Sequence, residues 1–172
     1  MLSYDLREIE TKAVHVEGDL ASDDPIWQAE DTRPEGPVHV TGRLSSAGGS
    51  RYYFAGRLEG RLEAECRRCL GPAAAEVSEE VHLIYAEDED EETSDDPDVY
   101  ALHPQTGELD LREAVREHWL LSAPSYLLCR EDCKGLCPQC GTSLNEGTCE
   151  CPPVTDSRWD ALRSVKLQSD AQ

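Results

Sequence analysis

The sequence predicts an α+β fold, in which a twisted antiparallel β-sheet carries a covering helix and is followed by a C-terminal cysteine-rich zinc-knuckle module. Three observations lead to this prediction. Apolar and polar residues alternate from Val38 to Tyr85, one stripe at helical spacing follows that stretch, and six of the eight cysteines lie between Cys129 and Cys151. We expect three segments: a β-rich domain over 1–126, a zinc module over 127–153, and a short helix with a tail over 154–172.

The predicted sheet begins with a strand in which Val38, Val40 and Leu44 alternate with polar residues. Residues 45–50 are rich in serine and glycine, and we expect them to form a loop. The strand after this loop has a strict period of two, with its charged residues on one face. Its apolar face carries Tyr52, Phe54, Leu58, Leu62, Ala64 and Cys66.

Two glycines, Gly56 and Gly60, fall on this apolar face. Glycines inside a strand often mark bulges or bends, so we expect the sheet to curl at these positions. After Cys69 the chain returns through a second alternating stretch, and the Cys66–Cys69 pair therefore lies at the tip of a hairpin. The returning strand contains Val77, Val81, Leu83 and Tyr85.

A strongly acidic run covers residues 87–98, with nine acids among twelve residues and no base. Like charges at this density repel one another and bury no apolar surface, so we expect a solvated, disordered loop. The alternative interpretation is that the run mimics the phosphates of a nucleic acid.

A helix is predicted to open near Asp110, which can act as its cap, while Glu113 can complete a capping box. We expect Trp119 and His118 to pack in the core where the helix meets the sheet. The apolar stripe of this helix contains Leu111, Ala114, Val115, His118 and Trp119. A smaller helix is predicted near the C-terminus from Asp156, Trp159, Leu162 and Val165.

The eight cysteines occur in four compact pairs, and tetrahedral structural zinc takes four Cys or His ligands. A disulfide framework is the first alternative, but we find no export signal at the N-terminus, and disulfides are expected outside the reducing cytosol. A redox pair is the second alternative, and it applies to Cys66 and Cys69, which flank two arginines. The pairs predict two structural Zn²⁺ ions and a cytoplasmic protein.

Sequence spacing also favours one division of the cysteines, because short loops close at the least entropic cost. One site would take Cys137, Cys140, Cys149 and Cys151 as a compact knuckle. The other would take Cys66, Cys69, Cys129 and Cys133 and clamp the cysteine-rich module onto the hairpin tip. Mixed sites, such as Cys133 with Cys137 and Cys140, are also compatible with the spacing.

The formal net charge is −20, from 36 acidic and 16 basic residues. This charge argues against broad nucleic-acid binding, which depends on Lys and Arg at the phosphates, and it favours a basic partner such as a ribosomal protein. No window approaches the length of a membrane span. A small basic group near the cysteine pairs is the candidate for RNA or partner contact, unless its members pair with acidic neighbours: Arg57, Arg61, Arg67, Arg68 and Lys134.

The stretch from Cys129 to Cys151, CREDCKGLCPQCGTSLNEGTCEC, closely resembles the C-terminal signature of the YceD family, the large ribosomal RNA subunit accumulation proteins of bacteria and plastids. The Cys66-Arg-Arg-Cys69-Leu70 motif before an acidic stretch, the helix near Leu111 and the closing Asp156-x-Arg158-x3-Leu162 are similar to that family as well. The resemblance spans about residues 38–165.

The resemblance implies a non-enzymatic factor that supports accumulation or processing of large-subunit (23S) ribosomal RNA. Its partners would be this RNA or a pre-ribosomal particle, reached directly or through basic ribosomal proteins, with no membrane and no small-molecule substrate. Two alternatives of other classes remain. One is a zinc-dependent chaperone that responds to oxidation, and the other is an acidic adaptor that holds basic ribosomal proteins.

Overall fold

A computed structural model describes residues 2–87, 99–102, 107–152 and residue 158. Its elements form a five-stranded sheet in the order β2-β3-β4-β5-β6, a two-stranded sheet of β1 and β7, and two helices, so the prediction of an α+β fold is confirmed. The elements are β1 (Ser3–Asp5), α1 (Leu6–Thr11), β2 (Val14–Leu20), β3 (Val38–Gly48), β4 (Arg51–Glu65), β5 (Pro72–Glu87), β6 (Val99–Leu102), β7 (Glu108–Asp110) and α2 (Arg112–Ser122).

The large sheet is mixed rather than wholly antiparallel. The pairs β2–β3, β3–β4 and β4–β5 are antiparallel, as predicted, but β6 runs parallel to the end of β5. Parallel strands need a longer connection than a hairpin turn, and the residues between β5 and β6 lie outside the described part of the chain. The alternation of apolar and polar residues within β5 does not show whether the neighbouring strand is parallel or antiparallel. The parallel pairing therefore could not be predicted from the sequence.

The hairpin between β3 and β4 is tighter than the sequence predicts. β3 continues through residues 45–48, and the turn lies at Gly48, Gly49 and Ser50, which have φ values of 84°, 60° and 56°. The expected loop over 45–50 is therefore wrong for its first half. Serines are tolerated at the exposed end of a strand, and the left-handed turn is formed by the two glycines together with Ser50.

Neither Gly56 nor Gly60 forms a bulge, because the pairing of β4 with β5 runs without a break. These glycines instead make room for aromatic rings. A Cβ at Gly60 would lie 2.7 Å from the Trp119 ring, and a Cβ at Gly56 would overlap the Phe54 ring. Ala64, predicted on the apolar face, is exposed because it lies beyond the core near the hairpin tip.

Helix α2 covers the sheet as predicted. Trp119 is fully buried, and its Nε1–H donates to the Thr32 carbonyl at 2.8 Å. The Asp110 carboxylate accepts the backbone N–H of Arg112 at 3.0 Å, but the helix begins at Arg112 and its N-cap is Leu111, which makes no side-chain cap hydrogen bond, so the predicted cap at Asp110 is wrong. His118 is only half-buried, with its ring 6.5 Å from that of Tyr100, and so it does not lie in the core.

The N-terminal residues add elements that the sequence interpretation left out. The Asp5 side chain accepts the backbone N–H of Arg7 and caps α1, and β2 then adds to the edge of the sheet through β3. Ile9 of α1 and Val16 of β2 are buried in the same core as Trp119. The two-residue spacing of Val14 and Val16 is the signal that could have revealed β2.

Two predictions lie outside the described residues. They are the disordered acidic loop, of which only Glu87 is described, and the C-terminal helix built around Trp159 and Leu162. His103 lies outside them as well. Among the helices described, none has the length and apolar character that crossing a membrane requires.

Two candidate metal centres

The first four-cysteine cluster joins two distant parts of the chain. Cys66 and Cys69 lie in the turn between β4 and β5, and Cys129 and Cys133 lie in the segment after α2. The four Sγ atoms all lie within 4.8 Å of one another. Two of the separations are 3.8 Å, between Cys66 and Cys133, and 3.7 Å, between Cys69 and Cys129. We call this set the clamp cluster.

The turn that carries the first two cysteines is fixed by backbone hydrogen bonds. The Cys66 N–H donates to the Gly71 carbonyl at 2.7 Å, and the Leu70 N–H donates to the Cys66 carbonyl at 2.9 Å. Leu70 has a φ of 57°, a conformation that favours glycine, and its side chain is 60% exposed. The hairpin therefore turns within a few residues and directs both sulfurs to the same side.

The segment after α2 docks on this turn through its backbone. The Arg67 N–H donates to the Leu127 carbonyl at 2.9 Å, and the Leu136 N–H donates to the Arg68 carbonyl at 3.1 Å. Gly135, with a φ of 76°, permits this approach, since a Cβ there would lie 2.9 Å from the Arg68 carbonyl oxygen. The predicted attachment of the cysteine-rich segment to the hairpin tip is present.

The second cluster is local and contains Cys137, Cys140, Cys149 and Cys151, whose Sγ atoms again lie within 4.8 Å of one another. The Cys137 N–H donates to the Thr142 carbonyl and the Gly141 N–H donates to the Cys137 carbonyl, both at 2.9 Å. Gly141 has a φ of 73° and closes this tight turn. We call this set the knuckle cluster. The structure thus groups the cysteines as their spacing favours.

Asn145 links the two clusters, a role that the sequence interpretation missed. Its Nδ2 donates to the Cys133 Sγ at 3.4 Å, while its Oδ1 accepts the Lys134 backbone N–H at 2.9 Å. The Arg130 guanidinium donates to the same oxygen. A single amide therefore holds a sulfur of the clamp cluster from the loop of the knuckle cluster. Asparagine in a glycine-containing loop ordinarily indicates only a turn, so its sequence context gave no signal.

Electrostatics divides each cluster into two sulfurs that ionise readily and two that do not. The pKa of Cys66 is lowered to about 6, chiefly by the backbone N–H of Cys129, and the pKa of Cys133 is lowered by the Asn145 amide. Burial raises the pKa of Cys129 to about 12. In the knuckle cluster the Thr142 hydroxyl lowers the pKa of Cys140 to about 6. The pKa of Cys151 rises to about 12 because Cys140 lies beside it.

This division has a simple physical consequence. Four negative charges confined within 4.8 Å repel one another. Without a cation, the thiols of a cluster that ionise less readily therefore keep their protons. A bound divalent cation reverses the balance and favours all four thiolates. Both clusters therefore have the donor set and the electrostatic demand of a site that could hold a metal ion. All eight cysteines are free of disulfide bonds.

The five basic residues predicted for RNA or partner contact do not form one patch. Arg57 pairs with Glu80, and roughly 25 Å of strand separates Arg57 from the end of β4. Arg61 is within 4 Å of three carboxylates, those of Glu35, Glu63 and Glu76. These two arginines therefore follow the alternative interpretation, in which basic side chains pair with acidic neighbours.

The other three basic residues lie near the clamp cluster. The Arg68 guanidinium donates to the carbonyls of Cys133, at 2.9 Å, and Glu131, at 3.3 Å, and so serves the docking of the segment. Arg67 and Lys134 are exposed, and neither has an ion pair within the described part of the chain. Among the described residues, Arg67 and Lys134 also differ from Arg68 in that their side chains donate no hydrogen bond to a backbone carbonyl.

The fold and the two clusters define a class of protein: a β-sheet domain whose hairpin tip and following segment carry two four-cysteine centres that could hold metal ions. A family model described as large ribosomal RNA subunit accumulation protein YceD matches residues 54–166, which include both clusters. The chain belongs to the YceD family. The resemblance stated from the cysteine motifs is confirmed.

Curated relatives match more than half of the chain. Uncharacterized proteins of Mycobacterium bovis and Mycobacterium tuberculosis are each 32% identical over 100 residues, which is 57% of this chain and 47% of theirs. An uncharacterized protein of Mycobacterium leprae is 29% identical over 108 residues, or 63% of this chain and 49% of its own. The chain thus spans about half the length of these relatives. No solved structure matches it.

Proposed function

We propose that this protein is a non-enzymatic ribosome-biogenesis factor that supports accumulation or processing of large-subunit (23S) ribosomal RNA in the cytoplasm, and that each cysteine cluster holds one structural Zn²⁺ ion. The observation that carries the role is the YceD family match, which covers the hairpin, helix α2 and both clusters as one unit. The family is described by accumulation of the large ribosomal RNA subunit.

The sulfur geometry supports zinc. Four thiolates at a Zn–S distance of about 2.3 Å in a tetrahedron are separated by about 3.8 Å. The two separations in the clamp cluster are 3.7 and 3.8 Å, whereas a disulfide would bring its sulfurs to about 2.05 Å. With four protein ligands no coordination position stays open for substrate, as is typical of structural zinc. This closed ligand set also supports the absence of catalysis.

Charge at the clamp cluster supports contact with an RNA or protein partner at a small number of points. Zn²⁺ with four thiolates carries a net charge of −2, so the nearby Arg68 guanidinium offsets charge as well as fixing the backbone. Arg67 and Lys134, which neighbour Cys66 and Cys133 in the sequence, are exposed to solvent. We propose these two residues as the direct contacts to phosphate, and basic ribosomal proteins as the partners of the remaining, strongly acidic surface.

A deletion strain tests the role. We expect its sucrose-gradient profile to show fewer large subunits during ordinary growth, and we expect the intact chain, but not a variant lacking Cys69 and Cys137, to restore the profile. A normal profile under ordinary growth would exclude the assembly role. If growth then failed only under oxidant, the redox-responsive chaperone would be the better assignment.

A further inference from the structure

The outer edge of β5 is a long row of backbone groups that nothing in the described part of the chain pairs with. β4 pairs with β5 along its whole length, and β6 pairs only with Ile84 to Glu87 on the other side. No backbone hydrogen bond outside β4 reaches residues 72–83 from any described residue. About 26 Å of strand edge, between Ala74 and His82, is therefore left unpaired by the described residues.

The hairpin fixes which residues turn their backbone toward this open edge. The Cys66 N–H donates to the Gly71 carbonyl, so this pair is hydrogen-bonded, and the pairs alternate from there. Arg61, opposite Glu76, accepts the Glu35 N–H on its side away from β5, as this alternation requires. The residues of β5 whose N–H and C=O groups point outward are Ala74, Glu76, Ser78, Glu80 and His82.

The side chains along this edge form two chemically distinct rows. The outward-pointing residues are exposed on the solvent face, where the side chains of Glu76 and Glu80 are 76% and 70% exposed. The opposite face carries Val77 and Val81, which are buried against the core, and the exposed Glu79 between them. A strand added at this edge would therefore meet the carboxylates of Glu76 and Glu80 on one face, and Glu79 between two buried valines on the other.

The charge balance beside the edge is negative. β5 contains three glutamates and no lysine or arginine between Pro72 and Leu83. Of the three arginines of β4, Arg57 and Arg61 lie opposite this edge, one strand further in, and Arg61 is shared among three carboxylates. The acidic side chains on the solvent face near this edge are Glu35, Glu59, Glu63, Glu76 and Glu80. A second copy of β5 would bring like charges together and is disfavoured.

We propose that the edge of β5 from Ala74 to His82 binds an extended segment of a basic partner protein as an added β-strand, in which basic residues alternate with apolar ones. Backbone hydrogen bonds would supply affinity, while Glu76, Glu80 and the valines of the inner face would select the sequence. The inference depends on the sheet and not on the clusters, so it holds or fails separately from the ribosomal role.

The test uses the full zinc-loaded chain and a peptide of about nine alternating lysine and valine residues, long enough to cover the edge. We expect binding to slow hydrogen exchange at the five outward amides. A second peptide of the same sequence carries N-methyl groups on alternate residues, so it keeps the charge but cannot pair. Equal binding of both peptides, or no binding of the first, overturns the proposal, as does binding of an alternating glutamate–valine peptide.

A matched pair of variants tests the edge from the side of the protein. Ser78→Pro removes one outward N–H and leaves every backbone hydrogen bond to β4, so the fold should persist, which the melting temperature and zinc content check. Both Ser78→Pro and Ser78→Ala lose the hydroxyl's exposed hydrogen bonds with Glu59 and Arg57, so the two variants differ at the backbone N–H. We expect its affinity for the lysine peptide to fall by about tenfold or more, whereas Ser78→Ala keeps the N–H and should stay within about twofold. Unchanged affinity in a folded Ser78→Pro variant contradicts strand addition. Protection of the edge amides without peptide, in a dimer, would assign the edge to a second copy instead.

Discussion

Replacing Cys69 by serine should destabilise the whole domain, whereas replacing Cys149 should loosen only the knuckle. Both cysteines are half-exposed, so the substitution itself costs little at either position. The difference lies in what each metal ion joins. The clamp cluster links Cys69 to Cys129 across 60 residues, and the knuckle cluster links residues 137 to 151 within one local loop.

The size of the destabilisation depends on the length of the chain segment that the metal ion cross-links. A cross-link over about 60 residues removes about 4 kcal/mol of conformational entropy from the unfolded chain at room temperature, by the relation used for disulfides. This figure is an upper limit, because α2 already packs on β5 without the metal. For a domain of this size the loss corresponds to a fall in melting temperature of about 10 °C.

The assay is thermal unfolding of both variants, followed by circular dichroism of the sheet, with metal content measured on the same samples. Each variant should lose one equivalent of zinc. Cys69→Ser should melt at lower temperature, and Cys149→Ser should melt within about 2 °C of the wild type while its amides in residues 137–152 exchange faster. Equal falls in melting temperature would refute the division into a clamp and a knuckle.

Three further predictions concern other parts of the structure. Gly60→Val should destabilise the fold by about 1–3 kcal/mol, because its Cβ would press on the buried Trp119 ring, whereas Gly147→Ala, with open space at its Cβ, should be neutral in denaturant unfolding. Asp31→Asn should destabilise the protein at neutral pH, because the hydrogen bond from Arg116 lowers the pKa of Asp31. The Asp31 carboxylate therefore stabilises the fold at pH values above the pKa of the unfolded chain, and this contribution is lost as the pH falls through the lowered pKa of the folded state. Unfolding curves of that variant and the wild type should converge at acid pH, and a constant gap would contradict the pairing. The double variant Arg67→Gln, Lys134→Gln should weaken association with large-subunit RNA and reduce the salt dependence of that association. The control Arg57→Gln, at an arginine already paired with Glu80, should do neither, and equal effects of the two would argue against contact at the clamp end.

The strands near the hairpin were predictable because their burial obeys a local rule. Tyr52, Phe54, Leu58 and Leu62 alternate with exposed residues in the sequence and are buried in the structure. Cysteine spacing likewise predicted both clusters, since each pair lies in a short turn and a turn has little freedom in where it directs its sulfurs. Local chemistry was sufficient in both cases.

The features that sequence reasoning missed depend on contacts between distant residues. Position 60 is glycine because the ring of Trp119, distant in the sequence, lies where a Cβ would be. Seen locally, a glycine inside a strand indicates only a bend. The parallel pairing of β6 depends on the path of its connection rather than on its own residues. Asn145 donates to a sulfur from a neighbouring loop, and Arg61 pairs with Glu35, which lies in the connection between β2 and β3. No periodicity encodes such contacts.

Elemental analysis combined with native mass spectrometry is the most direct test of whether each cluster holds one zinc ion. Protein made in zinc-replete medium should contain two zinc ions per chain, and a chelator should release both while exposing all eight cysteines to a thiol reagent. The doubly substituted Cys69→Ser, Cys149→Ser chain should contain none. A wild-type chain with one ion or none, or with its cysteines oxidised to disulfides as purified under reducing conditions, would contradict the account.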